Sequence, residues 1–228
     1  HKSTYLYLGH ILRCLTMYPH FKEESALIDR GYLPIVGLDE VGRGPLAGPV
    51  VAGAVMLLEP SVPKWLSKVR DSKALTAKQR EYIFQIVNES TTAWSVGIVS
   101  PRDIDNMGIV AATKYAMLLA LQNLPLAASF LLIDALPLPE SNLPFKSIIK
   151  GDQTCASIAA ASVMAKVTRD KIMLEEDKKY PQYHFAKHKG YPTKSHIEQL
   201  RMFGPSPIHR RSFAPVKSHI KFGKNSEA

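Results

Sequence analysis

Apolar positions along this chain fall into two kinds of run, and their order predicts the elements. Short, nearly unbroken apolar stretches at 33–39, 50–58 and 129–133 have the length and β-branched content of buried strands. The stretches 92–99 and 146–149 also read as strands. Helical spacing covers 19–31, with Gly31 as a C-cap candidate, and 77–89, where Thr76 and Gln79 are placed as a capping box. Pro101 opens a short helical turn. An alanine-rich helix is predicted at 109–124, the longest helix at 153–178, and a last one at 193–203 that stops at Gly204-Pro205. Strands first, then strands alternating with helices, predict an α/β protein with a mixed sheet flanked by helices. Residues 1–31 read as an extension with a short helix, 32–215 as one catalytic domain with a helical C-terminal part, and 216–228 as a basic, flexible tail.

Composition narrows the class. With 228 residues and 46% apolar content, the chain can bury a sizeable core, and neither disorder nor a membrane protein is favoured. Lys plus Arg number 29 against 20 for Asp plus Glu, a net charge of +9 that favours partners made of phosphate. Cys14 and Cys155 lie in unrelated contexts without metal-ligand spacing, as in a reducing compartment. The apolar stretch 5–15 is broken by His10 and Arg13, and no small-residue cleavage site follows. No run approaches the roughly 18 apolar residues of a membrane span. A cytoplasmic location is the expectation.

The chemistry concentrates where strands end. The first strand runs into Asp39-Glu40, a Gly42-Arg43-Gly44 loop follows, and the chain returns through Gly48-Pro49 into the second strand. Asp134 ends another apolar strand, and Asp152 stands before the longest helix. Singly, each carboxylate has a dull explanation: a solvated turn, a strand stop, an N-cap. Brought together at strand ends, where such folds gather ligands, they would repel unless cations neutralise them. Mg2+ suits oxygen ligands and leaves positions for water and phosphate, and two such ions can hold attacking water and leaving oxygen in line. Neighbours on a strand point to opposite faces, so Asp39 and Glu40 share a site only if the strand bends there. Arg43 offers a planar fork suited to a phosphate. Lys166 and Arg169 on the long helix read either as phosphate contacts or as a solvated face. His209 reads as a structural hydrogen-bonding residue rather than a base, His184, His188 and His196 have no ligand spacing, and Met117 and Met164 are core.

Those residues sit within an ordered series of blocks. It runs from 37–44 with 48–50, through Asp71-Ser72-Lys73, Ile133-Asp134 and Lys150-Gly151-Asp152, to 157–162 with 165–170. Lys189-Gly190-Tyr191 and His209-Arg210 with Ser212-Phe213 complete it. In this series the chain resembles the type 2 ribonucleases H (ribonuclease HII) over about residues 30–215. The resemblance implies a ribonuclease H-like fold, hydrolysis of the RNA strand of RNA–DNA hybrids, and incision 5′ to single ribonucleotides in duplex DNA, leaving 3′-hydroxyl and 5′-phosphate ends. It implies Mg2+ or Mn2+ held by Asp39, Glu40, Asp134 and Asp152 as catalytic carboxylates. Gly42, Arg43 and Gly44 correspond to the loop that contacts the ribonucleotide, Tyr191 to the residue that senses its junction with DNA, and Lys73 to a substrate-binding lysine. Only a 2′-hydroxyl separates RNA from DNA at one site, which a backbone loop and an aromatic ring can read. One departure stands out: Ala135 follows the third carboxylate where the family usually has glycine. The alternatives are a type 3 ribonuclease H acting only on long hybrids, disfavoured by the Gly-Arg-Gly loop, a structure-specific DNA nuclease, and a non-catalytic hybrid-binding module. No membrane partner is expected, a replication-clamp partner is left open, and monomer is the default.

Overall fold

The computed structural model describes residues 19–69, 75–90 and 93–223. They form a mixed five-stranded sheet: β1 (Ile35–Val41), β2 (Val50–Leu57), β3 (Ala93–Val99), β4 (Phe130–Asp134) and β5 (Phe145–Ile148), in the order β3-β2-β1-β4-β5. β4 runs parallel to both neighbours. The described helices are α1 (Lys22–Ile28), α2 (Leu66–Val69), α3 (Ala77–Glu89), α4 (Pro101–Met107), α5 (Ile109–Gln122), α6 (Gly151–Thr154), α7 (Ala156–Lys179), α8 (Phe185–His188), α9 (Lys194–Phe203) and α10 (Val216–Gly223). The α/β class expected from the apolar pattern is the one found.

The described chain falls into two compact units. The first takes in residues up to Asp39, then Ala54–Ser95 and Leu124–Met164. Its core joins Leu27 of α1 to Ile35, Phe130, Leu132, Cys155 and Ile158. The helix expected to belong to an N-terminal extension is therefore part of this core, because its apolar face has strand residues to bury against. Close packing is also visible at Gly37 on β1, where a Cβ would run into the backbone of Ser157 and Ile158. The small residues that open α7, Ala156, Ala159 and Ala160, are fully buried, as a helix lying tight on a sheet requires. Thr76 and Gln79 close the capping box on α3.

The expected single helix over 153–178 is two helices. Cys155 is extended between α6 and α7, with φ −113° and ψ 128°. The break is paid in hydrogen bonds from far away in sequence: His20 N–H donates to the Thr154 carbonyl at 3.0 Å, and Ala156 N–H donates to the His20 carbonyl at 3.1 Å. Glu24, fully buried on α1, accepts from Ser157 N–H at 2.7 Å and from the Cys155 thiol at 3.1 Å. It thus caps the start of α7 from another helix.

The second unit takes in Glu40–Gly53, Val96–Asn123 and the chain from Ala165. Ala47, Met173, Tyr183 and Phe185 form one core cluster there, and Leu46, Leu200 and Val216 another. The tail expected to be flexible from residue 216 begins with α10 instead, because Val216 is fully buried against Leu46 and Leu200.

Candidate active site

The parallel register of β1 and β4 places the first two carboxylates. Gly37 lies opposite Leu132 and Leu38 opposite Ile133, so the next step sets Asp39 opposite Asp134 on strands about 4.8 Å apart. Asp134 ends β4, whereas Asp39 follows the apolar part of β1 two residues before that strand ends at Val41. Asp39 is only 5% exposed. The third comes from the turn after β5. Lys150 adopts a left-handed conformation, and Gly151 N–H then donates to Asp134 Oδ1 at 2.7 Å. Asp152 follows directly, inside α6 rather than at the N-cap of a long helix. Its Oδ1 is buried.

Glu40 opens the second unit. β1 stays regular through Val41, so the chain does not bend between Asp39 and Glu40; the turn comes at Gly42, with φ +94°. Glu40 accepts an ion pair from Arg43 Nη1 at 3.1 Å. Arg43 is thereby partly committed to its own loop, although its side chain remains 44% exposed.

No three His, Cys, Asp or Glu side chains among the described residues are gathered into a ready-made metal cage. The donor set nevertheless fits a hard divalent cation. Asp39, Asp134 and Asp152 offer oxygens alone, and like charges at a nearly buried residue such as Asp39 repel unless a cation neutralises them. Mg2+ takes one or two carboxylates and keeps its waters, so it needs no closed cage. Asp39, Asp134 and Asp152 would hold it; β1 does not bend after Asp39, so Glu40 falls on the other face of the strand, where Arg43 engages it.

Two arginines build the glycine-framed loop: Arg210, left without a role by the sequence, and Arg169, read there as a phosphate contact or part of a solvated face. Arg210 is fully buried and donates to the carbonyls of Gly42 (2.6 Å), Arg43 (3.0 Å) and Gly48 (2.8 and 3.0 Å). Burial, with Arg169 nearby, pulls its pKa down to about 9, so it stays charged at neutral pH. Arg169, equally buried, donates to Pro49, Lys189 and Ala47 carbonyls at 3.0, 3.0 and 3.1 Å. It does not lie on a solvated face: the side chain is buried, and each of its three nitrogens donates to a backbone carbonyl. Lys166 pairs with Asp170 at 2.7 Å. Gly42 must be glycine: its φ is positive and a Cβ would stand 2.7 Å from the Pro49 carbonyl oxygen.

The same framework holds Tyr191. Leu46 N–H donates to the Gly190 carbonyl at 2.8 Å, and the Arg169 guanidinium lies 5.7 Å from the centre of the Tyr191 ring. A Cβ on Gly44 would stand 4.0 Å from Tyr191 Cε1, so the third residue of the loop and this ring are neighbours. Tyr191 is 37% exposed. Lys73 lies outside the described residues, as do Asp71 and Ser72.

Ala135 sits at φ +51°. The conformation that glycine adopts without penalty is therefore required here, and alanine carries strain of about 1–2 kcal/mol. Ala135→Gly relieves it but loosens the unfolded chain by about 0.5–1 kcal/mol. The expected result in chemical denaturation is a net gain of about 0.5–1 kcal/mol with unchanged m-value; a loss would show that the turn stores no strain.

Residues 36–216 match the model of the ribonuclease HII family. The chain belongs to that family. A ribonuclease HII of Dehalococcoides mccartyi is 49% identical over 200 residues, covering 88% of this chain and 95% of that one. A ribonuclease HII of Desulfitobacterium hafniense is 52% identical over 199 residues, covering 87% and 75%. The solved ribonuclease H2 of Pyrococcus horikoshii superposes with a TM-score of 0.73 at 26% identity, covering 84% of this chain and 99% of its own. The fold is thus ribonuclease H-like, and the protein is a nuclease of the hydrolase class acting as a ribonuclease H on RNA–DNA hybrids. Ribonucleases HII depend on divalent metal. No described helix is long and apolar enough to cross a membrane.

Proposed function

We propose that this ribonuclease HII incises 5′ to single ribonucleotides embedded in duplex DNA, besides cutting the RNA strand of hybrids, and leaves 3′-hydroxyl and 5′-phosphate ends. The observation that carries this reading is the glycine-framed loop with its neighbour Tyr191, tied down by two fully buried arginines. So much buried charge spent on one short loop implies that its exact backbone position matters.

Each element has a role in that reaction. Asp39, Asp134 and Asp152 would hold the divalent cation, and Glu40 would act on it through water. When bound, Mg2+ or Mn2+ supplies Lewis-acid polarisation of the phosphodiester and activation of the attacking water. Backbone groups of Gly42, Arg43 and Gly44 hydrogen-bond the 2′-hydroxyl, the one group that marks a ribonucleotide. The Tyr191 ring packs against the sugar at the RNA–DNA step. Arg43, whose side chain stays 44% exposed beside Glu40, is placed to hold a phosphate, and Lys73 is a further substrate contact. The protein acts as a cytoplasmic monomer. A replication-clamp partner is left open: the solved complex of ribonuclease HII with PCNA from Archaeoglobus fulgidus resembles this chain at 24% identity, a likeness of fold.

The deciding experiment is incision of a labelled DNA duplex carrying one ribonucleotide, with Mg2+, Mn2+ or chelator, beside an all-DNA duplex. A metal-dependent cut just 5′ of the ribonucleotide is expected. Cleavage confined to long hybrids would transfer the protein to type 3 behaviour, and no cleavage of either would leave a binding module. Binding should weaken with salt by about 0.9 log unit per phosphate contact per log unit of salt. A flat salt profile would refute the phosphate-binding role of the basic surface.

A further inference from the structure

Three histidines of the second unit, His188, His196 and His209, are almost fully buried and are used by no step above. They have no metal spacing because they bond to each other and to backbone. His209 Nδ1 accepts from Ser206 N–H at 2.9 Å, so in its neutral form His209 carries its proton on Nε2. That nitrogen lies 3.0 Å from His196 Nε2, which must therefore be the acceptor. His196 is left with its proton on Nδ1, and Nδ1 lies 2.9 Å from the Tyr191 carbonyl oxygen. Every bond in the chain Ser206–His209–His196–Tyr191 thus fixes the next, and only one pair of tautomers satisfies all of them. His188 is fixed separately, accepting from Gly190 N–H at Nδ1 (3.2 Å) and donating from Nε2 to the Tyr183 carbonyl (2.8 Å).

The packing keeps these rings uncharged. His188 and His196 stack with centroids 4.3 Å apart, and the Phe185 ring lies within 5.9 Å of all three. Burial pushes His196 down to about 4 and His209 to about 3, so both are neutral at physiological pH.

We propose that His196 and His209 are positioning residues: a tautomer-locked pair that holds the Tyr191 carbonyl and thereby fixes the angle at which the Tyr191 ring meets a ribonucleotide junction. The Tyr191 carbonyl also accepts Thr193 N–H at 2.8 Å. The imidazole is the partner that connects it to the segment carrying Arg210, the residue after His209; Arg210 N–H donates to the Leu46 carbonyl at 2.8 Å. The pair therefore couples the turn bearing Tyr191 to the segment that anchors the Gly-Arg-Gly loop. The functional half of this inference rests on the junction role of Tyr191 given above.

The test compares kcat/KM on a single-ribonucleotide duplex with kcat/KM on a long RNA–DNA hybrid. His196→Ala should lower the ratio about fivefold to tenfold, as expected for one lost hydrogen bond. His196→Asn, whose amide nitrogen sits near the Nδ1 position, should recover most of it. In Tyr191→Ala, adding His196→Ala should cost nothing more, because both act on one ring. An unchanged ratio in folded His196→Ala while Tyr191→Ala lowers it, or losses that multiply in the double variant, would overturn the inference. Should Tyr191→Ala leave the ratio alone, the junction role of Tyr191 falls. The lock is read independently by long-range proton–nitrogen spectra of the full chain at pH 7. Protons on His196 Nδ1 and His209 Nε2 support it, and a proton on His196 Nε2 refutes it. Those spectra also decide the matter if His196→Ala does not fold.

Discussion

Asp134→Asn should abolish turnover while leaving the fold intact. Asp134 is the carboxylate that β4 delivers opposite Asp39, and its Oδ1 accepts Gly151 N–H at 2.7 Å. Asparagine keeps an oxygen at that position, so the bond that sets the approach to Asp152 survives. What it loses is the negative charge that, on the proposed reading, would help hold the divalent cation. Lewis-acid stabilisation of phosphoryl transfer amounts to several kcal/mol, and each 1.36 kcal/mol is tenfold in rate. A fall in kcat of about a thousandfold or more is expected on single-ribonucleotide duplex and hybrid alike. The melting temperature without metal should stay level or rise, since one of several crowded like charges has gone. Added Mg2+ should stabilise the wild-type chain and much less the variant. A variant that keeps a tenth of the activity would remove Asp134 from the metal site, and a large drop in melting temperature would make it a structural residue instead.

Much of that site was legible because its residues obey local rules. Asp39 and Asp134 each terminate an apolar run, and parallel pairing of two such strands brings their ends together without further information. Thr76 with Gln79, and Thr193 with His196, announce helix starts through bonds that span three residues. The conformation of Ala135 was legible as a question, since only a backbone angle decides whether glycine is needed, and φ +51° answers it.

What was not legible depends on partners distant in sequence. Nothing between Gln153 and Lys178 breaks a helical pattern; the break at Cys155 is made by His20, some 135 residues earlier in the chain. Glu24 looks like one more acid on a polar helix face, yet it is fully buried because the open N–H groups of α7 meet it there. Arg169 follows Lys166 at a spacing that reads as a charged stripe, but the two side chains have opposite fates. Lys166 reaches a neighbouring carboxylate on its own helix, and Arg169 turns into the interior, where three carbonyls await it. Likewise His196 and His209 show no ligand spacing because each is the other's partner.

The dependence on distant partners makes Arg210→Met the most consequential change away from the carboxylates. Methionine fills much of the volume but donates nothing, leaving the carbonyls of Gly42, Arg43 and Gly48 without their buried donor. An unsatisfied buried acceptor costs about 1–3 kcal/mol, and water reaches the exposed part of this loop, so about 3 kcal/mol in total is expected. For a chain of this size that corresponds to a melting temperature lower by roughly 10 °C. Arg210→Lys should recover only part of the loss, because an ammonium is a point charge and cannot span three carbonyls as a guanidinium fork does. The loop that should read the 2′-hydroxyl loosens in both variants, while the carboxylates on β1, β4 and α6 keep their own bonds. Incision at a single ribonucleotide should therefore fall further than cleavage of a long hybrid, where many 2′-hydroxyls offer themselves at every register. Equal losses on the two substrates would mean that Arg210 holds the protein together without shaping its choice of substrate. Undiminished stability would mean that the loop does not need its buried guanidinium.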